Sequence, residues 1–280
     1  MTVSDTGKTI VTCNDALPLQ LERLQSGPVC RRLSVKFHHY FAIDSTNTQA
    51  RQLAENGARE GEIVVAEQQT RGRGRLGRIW VSPPFVNLYL SVVLRPELPP
   101  VQAPQITLTA AVALADTVAC FTPEPPAIKW PNDILVRGKK LAGILTESSV
   151  NAERINYVIV GIGVNINFAH ALMPEAIRGR ATSLMECAGE TVSREAFLGR
   201  LIQHLDRCYG ILGEAGFNRI APRWEAYFNL RGQRVRVEMG DEALAGVAKG
   251  IDGNGALIVE GERGECHRIL AGDVIPLTDD

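Results

Sequence analysis

The stretch 71-RGRGRLGR-78 alternates four arginines with three glycines, and Trp80 follows two residues later. A backbone spaced by glycines can turn its N–H groups toward an anion, and guanidinium groups add charge-assisted hydrogen bonds to phosphate or carboxylate. Trp80 offers a flat apolar face on which a purine can stack. Three further stretches set polar or cationic side chains inside apolar runs or at their ends: 129-KWPND-133, 140-KLAG-143 and 161-GIGVN-165. Singly, each also reads as a solvated loop, an exposed strand lysine or a satisfied core polar group. Together in one chain they point to a nucleotide site.

Two literal motif matches fail on context. Gly72-x-Gly74-x-x-Gly77 fits the dinucleotide fingerprint, which requires a helix to open at its third glycine. The chain runs instead into IWVSPPF, where Pro83 and Pro84 forbid one. A kinase glycine-rich loop needs H-R-D and D-F-G further on, and neither occurs. An arginine-glycine segment for nucleic acid is longer and flanked by more basic charge.

The elements that must position these residues are legible in outline. Residues 1–36 are polar with one short amphipathic stretch near 17–24, too little for an independent domain. Residues 37–43, 62–66 and 87–94 have strand character, the last two bracketing the arginine loop. In 44-DSTNTQARQLAENG-57, Ser45, Thr46 or Asn47 caps a helix that Gly57 ends. A second helix is expected over 104–121, a hairpin turning at Arg137-Gly138, and a buried strand over 157–167. Residues 193–212 carry Phe197, Leu201, Leu205, Cys208 and Leu212 on one helical face, and a further helical stretch near Trp224 is interrupted by Pro222. From residue 231 short apolar runs alternate with MGDE, DGNG and GERG turns, the texture of a small β-barrel. The expected division is a 1–36 extension, a 37–230 domain carrying the site, and a 231–280 barrel.

Composition narrows the class. With 280 residues and 45% hydrophobic content the chain can bury more than one core. The 30 basic and 31 acidic residues balance, so no nucleic-acid or membrane surface is expected. Six cysteines form no C-x-x-C and five histidines are dispersed, so no metal-ligand spacing stands out. The polar start and the lack of a bilayer-length apolar run imply a cytoplasmic protein with core-filling or inert thiols.

Taken in order, DSTN (44–47), EQQTRGRGRLGRIW (67–80), KWPNDIL (129–135), KLAGIL (140–145) and GIGVNIN (161–167) resemble the biotin–protein ligases over about residues 37–277. The resemblance implies an α+β fold: a mixed sheet flanked by helices, related to class II aminoacyl-tRNA synthetases and lipoate ligases, followed by an SH3-like barrel. It implies a two-step enzyme using ATP and Mg²⁺. Biotin is activated to biotinyl-5′-AMP and then passed to one lysine of a biotin carboxyl carrier protein domain, as in acetyl-CoA carboxylase. Ser45, Thr46, Asn47 and Gln69 match the biotin pocket, whose ureido ring must be paired once buried. Arg73, Gly74 and Arg75 match the loop that folds over biotin and phosphate, and Lys140 the cation between carboxylate and α-phosphate. Trp80 corresponds to an adenine-stacking side chain, and Asn132, Asp133 and Asn165 to groups that place ATP or its Mg²⁺. Family members that also repress transcription carry a helix-turn-helix domain, for which 1–36 is too short. Lipoate–protein ligase is the nearest enzyme alternative and a biotin-responsive DNA-binding regulator the other. No particular oligomeric state is implied.

Glycines make an empty arginine loop reluctant to order, and four arginines repel one another until an anion gathers them. Limited tryptic digestion is therefore expected to cut early near residue 75, more slowly with biotin, and more slowly still with biotin, ATP and Mg²⁺. Equal rates in every condition would remove the lid role.

Overall fold

The computed structural model describes residues 17–25 and 30–277. Its elements run α1 (Glu22–Gln25), β1 (Lys36–Ile43), α2 (Thr46–Glu55), β2 (Glu62–Gln69), β3 (Leu88–Leu94), α3 (Pro104–Val118), β4 (Pro126–Lys129), β5 (Asp133–Val136), β6 (Lys139–Val150) and β7 (Ile155–Val164). There follow α4 (Glu175–Arg178), α5 (Leu184–Ala188), α6 (Arg194–Ala215), α7 (Ala221–Tyr227), β8 (Arg234–Met239), β9 (Glu242–Ile251), β10 (Leu257–Glu260), β11 (Cys266–Ile269) and β12 (Asp273–Pro276). The first seven strands form one sheet in the order β1-β2-β3-β7-β6-β5-β4, mixed because β1 and β2 alone run parallel. The last five form an antiparallel sheet in the order β11-β10-β9-β8-β12. A mixed sheet with flanking helices and a small all-β module is the architecture expected.

Burial explains the layering. LYLSVVL in β3 is buried at every position, as a near-continuous apolar run in a central strand should be. On one face Leu90, Val92, Val160 and Ile162 join a large core with Leu108 and Val112 of α3 and Leu201 and Leu205 of α6. On the opposite face Ala50 and Ala54 of α2 pack with Val64, Val93 and Ile159. Small alanines let α2 lie close to the sheet, which brings its N-terminal turn over the junction of β3, β7 and β6.

The hairpin between β5 and β6 turns at Arg137 (φ 51°) and Gly138 (φ 73°), the paired positive φ of a two-residue turn. Elsewhere the structure corrects detail. Pro222 does not interrupt a helix: it stands in the first turn of α7, where its missing N–H is not needed. The strand expected to reach residue 167 leaves the ladder after Val164.

The N-terminal stretch is tied down through its backbone. Asp206 of α6 accepts N–H groups from Arg31, Arg32 and Leu33 at 3.0, 2.8 and 2.9 Å. Glu67 of β2 is fully buried and accepts from Leu19 N–H at 2.7 Å and from the Arg194 guanidinium at 2.7 Å, with His39 Nε2 at 2.8 Å. Arg194 also donates to the Leu17 carbonyl at 2.6 Å. Cys13 lies outside the described residues; Cys208 is buried, and burial pushes its thiol up to about 11, which keeps it unreactive.

Removing one partner of a buried ion pair strands the other charge. Arg194→Met is expected to destabilise the fold by roughly 3–5 kcal/mol, and the Glu67→Gln, Arg194→Met double variant by less than the single one. Urea unfolding curves check this; a single variant as stable as the wild type would show that the pair is not what holds the N-terminal stretch to β2.

Candidate active site

The α2 face of the main sheet is bare where β6 and β7 cross the site. Gly143 stands opposite Gly163, Leu145 opposite Gly161, and Ser91 and Tyr89 of β3 opposite Gly161 and Gly163 on the other side. A Cβ on Gly163 would lie 2.5 Å from the Trp80 indole, and one on Gly161 would collide with the Asn47 amide. GIGVN thus contributes absence: its glycines admit two larger side chains to the sheet.

The first turn of α2 supplies a buried group of polar side chains. Ser45 occupies the N-cap position with extended backbone (φ −158°, ψ 135°), yet its side chain makes no capping bond. Ser45, Thr46 and Asn47 are all buried. Gln69, at the end of β2, accepts from Thr46 N–H at 2.9 Å and from its hydroxyl at 3.2 Å, and donates to Ser82 Oγ at 3.0 Å. Asn47 donates to the Leu145 carbonyl at 3.1 Å and to Glu147 Oε2 at 2.7 Å. Its amide oxygen lies 2.7 Å from the buried Ser91 hydroxyl, which is also 2.8 Å from Thr46 Oγ1. The structure therefore gathers Thr46, Asn47 and Gln69 in one hydrogen-bonded cluster through Ser91, with the buried Ser45 next to it in sequence at the start of α2.

The arginine loop lies beside that cluster. A bridge between Arg73 and Ile79 pinches its base, and Gly74 N–H donates to the Arg78 carbonyl at 2.7 Å. Three of the four arginines have protein partners, which corrects the expectation that only a ligand gathers them. Arg73 pairs with Glu147 at 3.0 Å; Arg75 donates to Asn132 Oδ1 at 3.2 Å and the Gly272 carbonyl at 3.3 Å; Arg78 pairs with Asp273. Burial pulls the Arg75 guanidinium below its ordinary value, with Asp273 and Asp133 opposing the shift. Residues 73–77, Leu145 and Glu147 line a cavity of about 350 Å³.

The KWPND turn meets the arginine loop where Asn132 accepts from Arg75. Asn132 donates to the Ile144 carbonyl at 2.7 Å, and the Ile144 N–H returns to the Asn132 carbonyl at 2.9 Å, locking the turn to β6. That lock sets Asp133 Oδ1 2.7 Å from Lys140 Nζ, which also lies 5.5 Å from the centre of the Trp80 ring. The buried Trp80 indole N–H has no hydrogen-bond acceptor among the described residues. Asn165, just past the end of β7, is buried, donates to the Thr182 carbonyl at 3.0 Å, and accepts from Asn87 at 3.4 Å. These bonds tie the end of β7 to its neighbours, and Thr182 in turn donates its N–H to the Lys140 carbonyl at 3.0 Å.

The C-terminal sheet reaches into the site from behind. Trp130 donates its indole N–H to the Gly255 carbonyl at 3.1 Å, and Gln105 donates to the Gly253 carbonyl at 2.9 Å. With Gly272 and Asp273 on Arg75 and Arg78, one module buttresses both the KWPND turn and the arginine loop. Sequence reasoning missed Ser91, Glu147 and Asp273. The strand alternation Gly143, Leu145, Glu147 carried a signal for the second; Asp273 is 195 residues from Arg78 and had none. The result is a buried polar cluster linked through Glu147 to a cavity lined by Arg73 and Arg75, with Lys140 beside Trp80. Such a site suits a ligand with a hydrogen-bonding head and an anionic end, and a phosphate brought against that end.

Comparison with known proteins gives this site a family. Residues 40–165 match the biotin/lipoate A/B protein ligase family, and residues 231–275 the biotin protein ligase C-terminal domain. The biotin–[acetyl-CoA-carboxylase] ligase of Paracoccus denitrificans is 40% identical over 226 residues, covering 79% of this chain and 92% of that one. Its namesake from Mycobacterium tuberculosis is 37% identical over 240 residues, covering 83% and 86%. The biotin protein ligase of Aquifex aeolicus in complex with biotin and ATP superposes with a TM-score of 0.75 at 29% identity, covering 87% of this chain and 99% of that one. The chain belongs to the biotin protein ligase family.

Proposed function

We propose that the protein joins biotin to protein: it activates biotin with ATP to biotinyl-5′-AMP and transfers the biotinyl group to a lysine of a carboxyl carrier domain. The observation that carries this reading is Lys140, an ammonium held by Asp133 at the mouth of a polar pocket and faced by the arginine loop. In the first step a biotin carboxylate oxygen attacks the α-phosphorus and pyrophosphate leaves. Two anions must meet, and a preorganised cation between them lowers the barrier most where water is excluded. Lys140 is assigned that position, with Arg73 and Arg75 neutralising the phosphate from the loop. In the second step the carrier amine attacks the mixed anhydride's carbonyl and AMP departs.

Ser45, Thr46, Asn47 and Gln69 are assigned the ureido ring, whose buried donors and acceptor need partners. The unpaired Trp80 indole N–H fits an acceptor on a ligand lying against that side chain. ATP is placed on the Trp80, Asn132 and Asp133 side. Mg²⁺ is proposed to arrive with the nucleotide's phosphates, Asp133 being the carboxylate nearest to Lys140. The protein is proposed to act in the cytoplasm; no helix of the described residues is long and apolar enough to cross a membrane. Lipoate suits Ser45, Thr46, Asn47 and Gln69 less well, because its apolar dithiolane has no N–H or carbonyl to exchange hydrogen bonds with their hydroxyl and amide groups.

Incubation with biotin, ATP, Mg²⁺ and a carrier domain is expected to add one biotinyl mass to the carrier, read by mass spectrometry. Lipoate giving the labelled product in place of biotin would reverse the assignment. Lys140→Ala is expected to slow pyrophosphate release by roughly a hundred- to thousandfold, as for loss of one preorganised donor, with melting temperature nearly unchanged. Release at the wild-type rate would remove Lys140 from the chemistry.

A further inference from the structure

Glu147 stands outside every motif that identified the site, yet one of its oxygens joins the site's two halves. Oε2 accepts from Asn47 Nδ2 at 2.7 Å and from Arg73 at 3.0 Å. Asn47 belongs to the buried pocket, Arg73 to the half-exposed loop, and Glu147 itself lines the cavity beneath that loop. We infer that Glu147 is a positioning residue for ligand capture: a single carboxylate oxygen orients the pocket amide and latches the arginine loop.

The two contacts do different things. The Asn47 nitrogen faces the Leu145 carbonyl and the Glu147 carboxylate, which only accept, while its oxygen faces the Ser91 hydroxyl. That surrounding fixes which end of the amide is donor and which acceptor, and so what the pocket presents to a ligand. Glycine at 161 provides the space this amide fills, since a Cβ there would collide with its oxygen. The Arg73 contact is weaker by nature. Both side chains are partly exposed, 41% for Arg73 and 31% for Glu147, so solvent screens the pair. A weak latch biases the loop toward the site without holding the guanidinium against an incoming phosphate, which binds it with more charge.

The inference rests on the biotin-ligase reading for its ligand, and the test separates the two. Glu147→Gln keeps an acceptor for Asn47 and removes the charge that holds Arg73; Glu147→Ala removes both. Without ligand, tryptic cleavage at the loop is expected to be faster in Glu147→Gln than in wild type. Biotin dissociation is expected to rise by up to about fivefold, the factor equivalent to about 1 kcal/mol for an exposed pair. Glu147→Ala is expected to raise the KM for biotin by a further roughly tenfold, from an amide N–H left unpaired. A merely structural role would instead lower the melting temperature and kcat together in both variants. Wild-type cleavage and biotin dissociation in Glu147→Gln, or equal KM values in the two variants, would overturn the inference. If the wild type releases no pyrophosphate from biotin and ATP, the ligase reading fails, while the ligand-free digestion still decides whether Glu147 latches the loop.

Discussion

The site depends on how closely side chains can approach one patch of sheet. Asn47 and Trp80 both occupy space that a Cβ on Gly161 or Gly163 would take. Without that clearance α2 would stand away from the strands, and Asn47 would lose its bonds to Leu145, Glu147 and Ser91. Trp80 would no longer lie beside Lys140, and the loop that precedes it would be carried outward with it. A closely packed interior tolerates such a change poorly, since neighbouring atoms relax only in part. The bare patch is therefore the condition under which polar cluster, loop and lysine come together on one face of the sheet.

On that floor charge is arranged in short exchanges. Arg73 meets Glu147, Arg78 meets Asp273, and Lys140 meets Asp133. Each cation is held by a protein carboxylate at partly exposed positions, where ion pairs contribute little net stability. Their value lies in placement: the cations are gathered by the protein's own carboxylates before any ligand arrives. Pairing also answers the repulsion expected among neighbouring arginines, although the glycines still leave the loop's backbone free to move.

The second sheet has a mechanical part in this. Its turn at 252–256 receives Trp130 and Gln105, and the Gly272–Asp273 corner receives Arg75 and Arg78. The KWPND turn and the arginine loop approach the cavity from different parts of the chain, and this one module fixes both. Displacing the module would loosen two walls of the cavity at once.

The sequence by itself determined a good deal. Strand and helix order, the Arg137-Gly138 turn and the all-β end follow from apolar periodicity and turn chemistry, which are local properties. The runs holding Arg73, Arg75, Trp80, Asn132, Asp133 and Lys140 stood out by composition, whereas Ser45, Thr46, Asn47 and Gln69 were legible only through the ordered motifs' resemblance to a family. The fold brings these residues near one another. Asn165 comes from the same kind of run as Lys140, and the fold sets it between Asn87 and Thr182, one residue past the end of the ladder. Only tertiary structure decided who holds these residues. Glu147 meets Asn47 across 100 residues of chain, Asp273 meets Arg78 across 195, and Arg194 meets Glu67 across 127. Partners at such separations are chosen by sheet register and by the docking of one module on another, and neither leaves a local trace in the sequence.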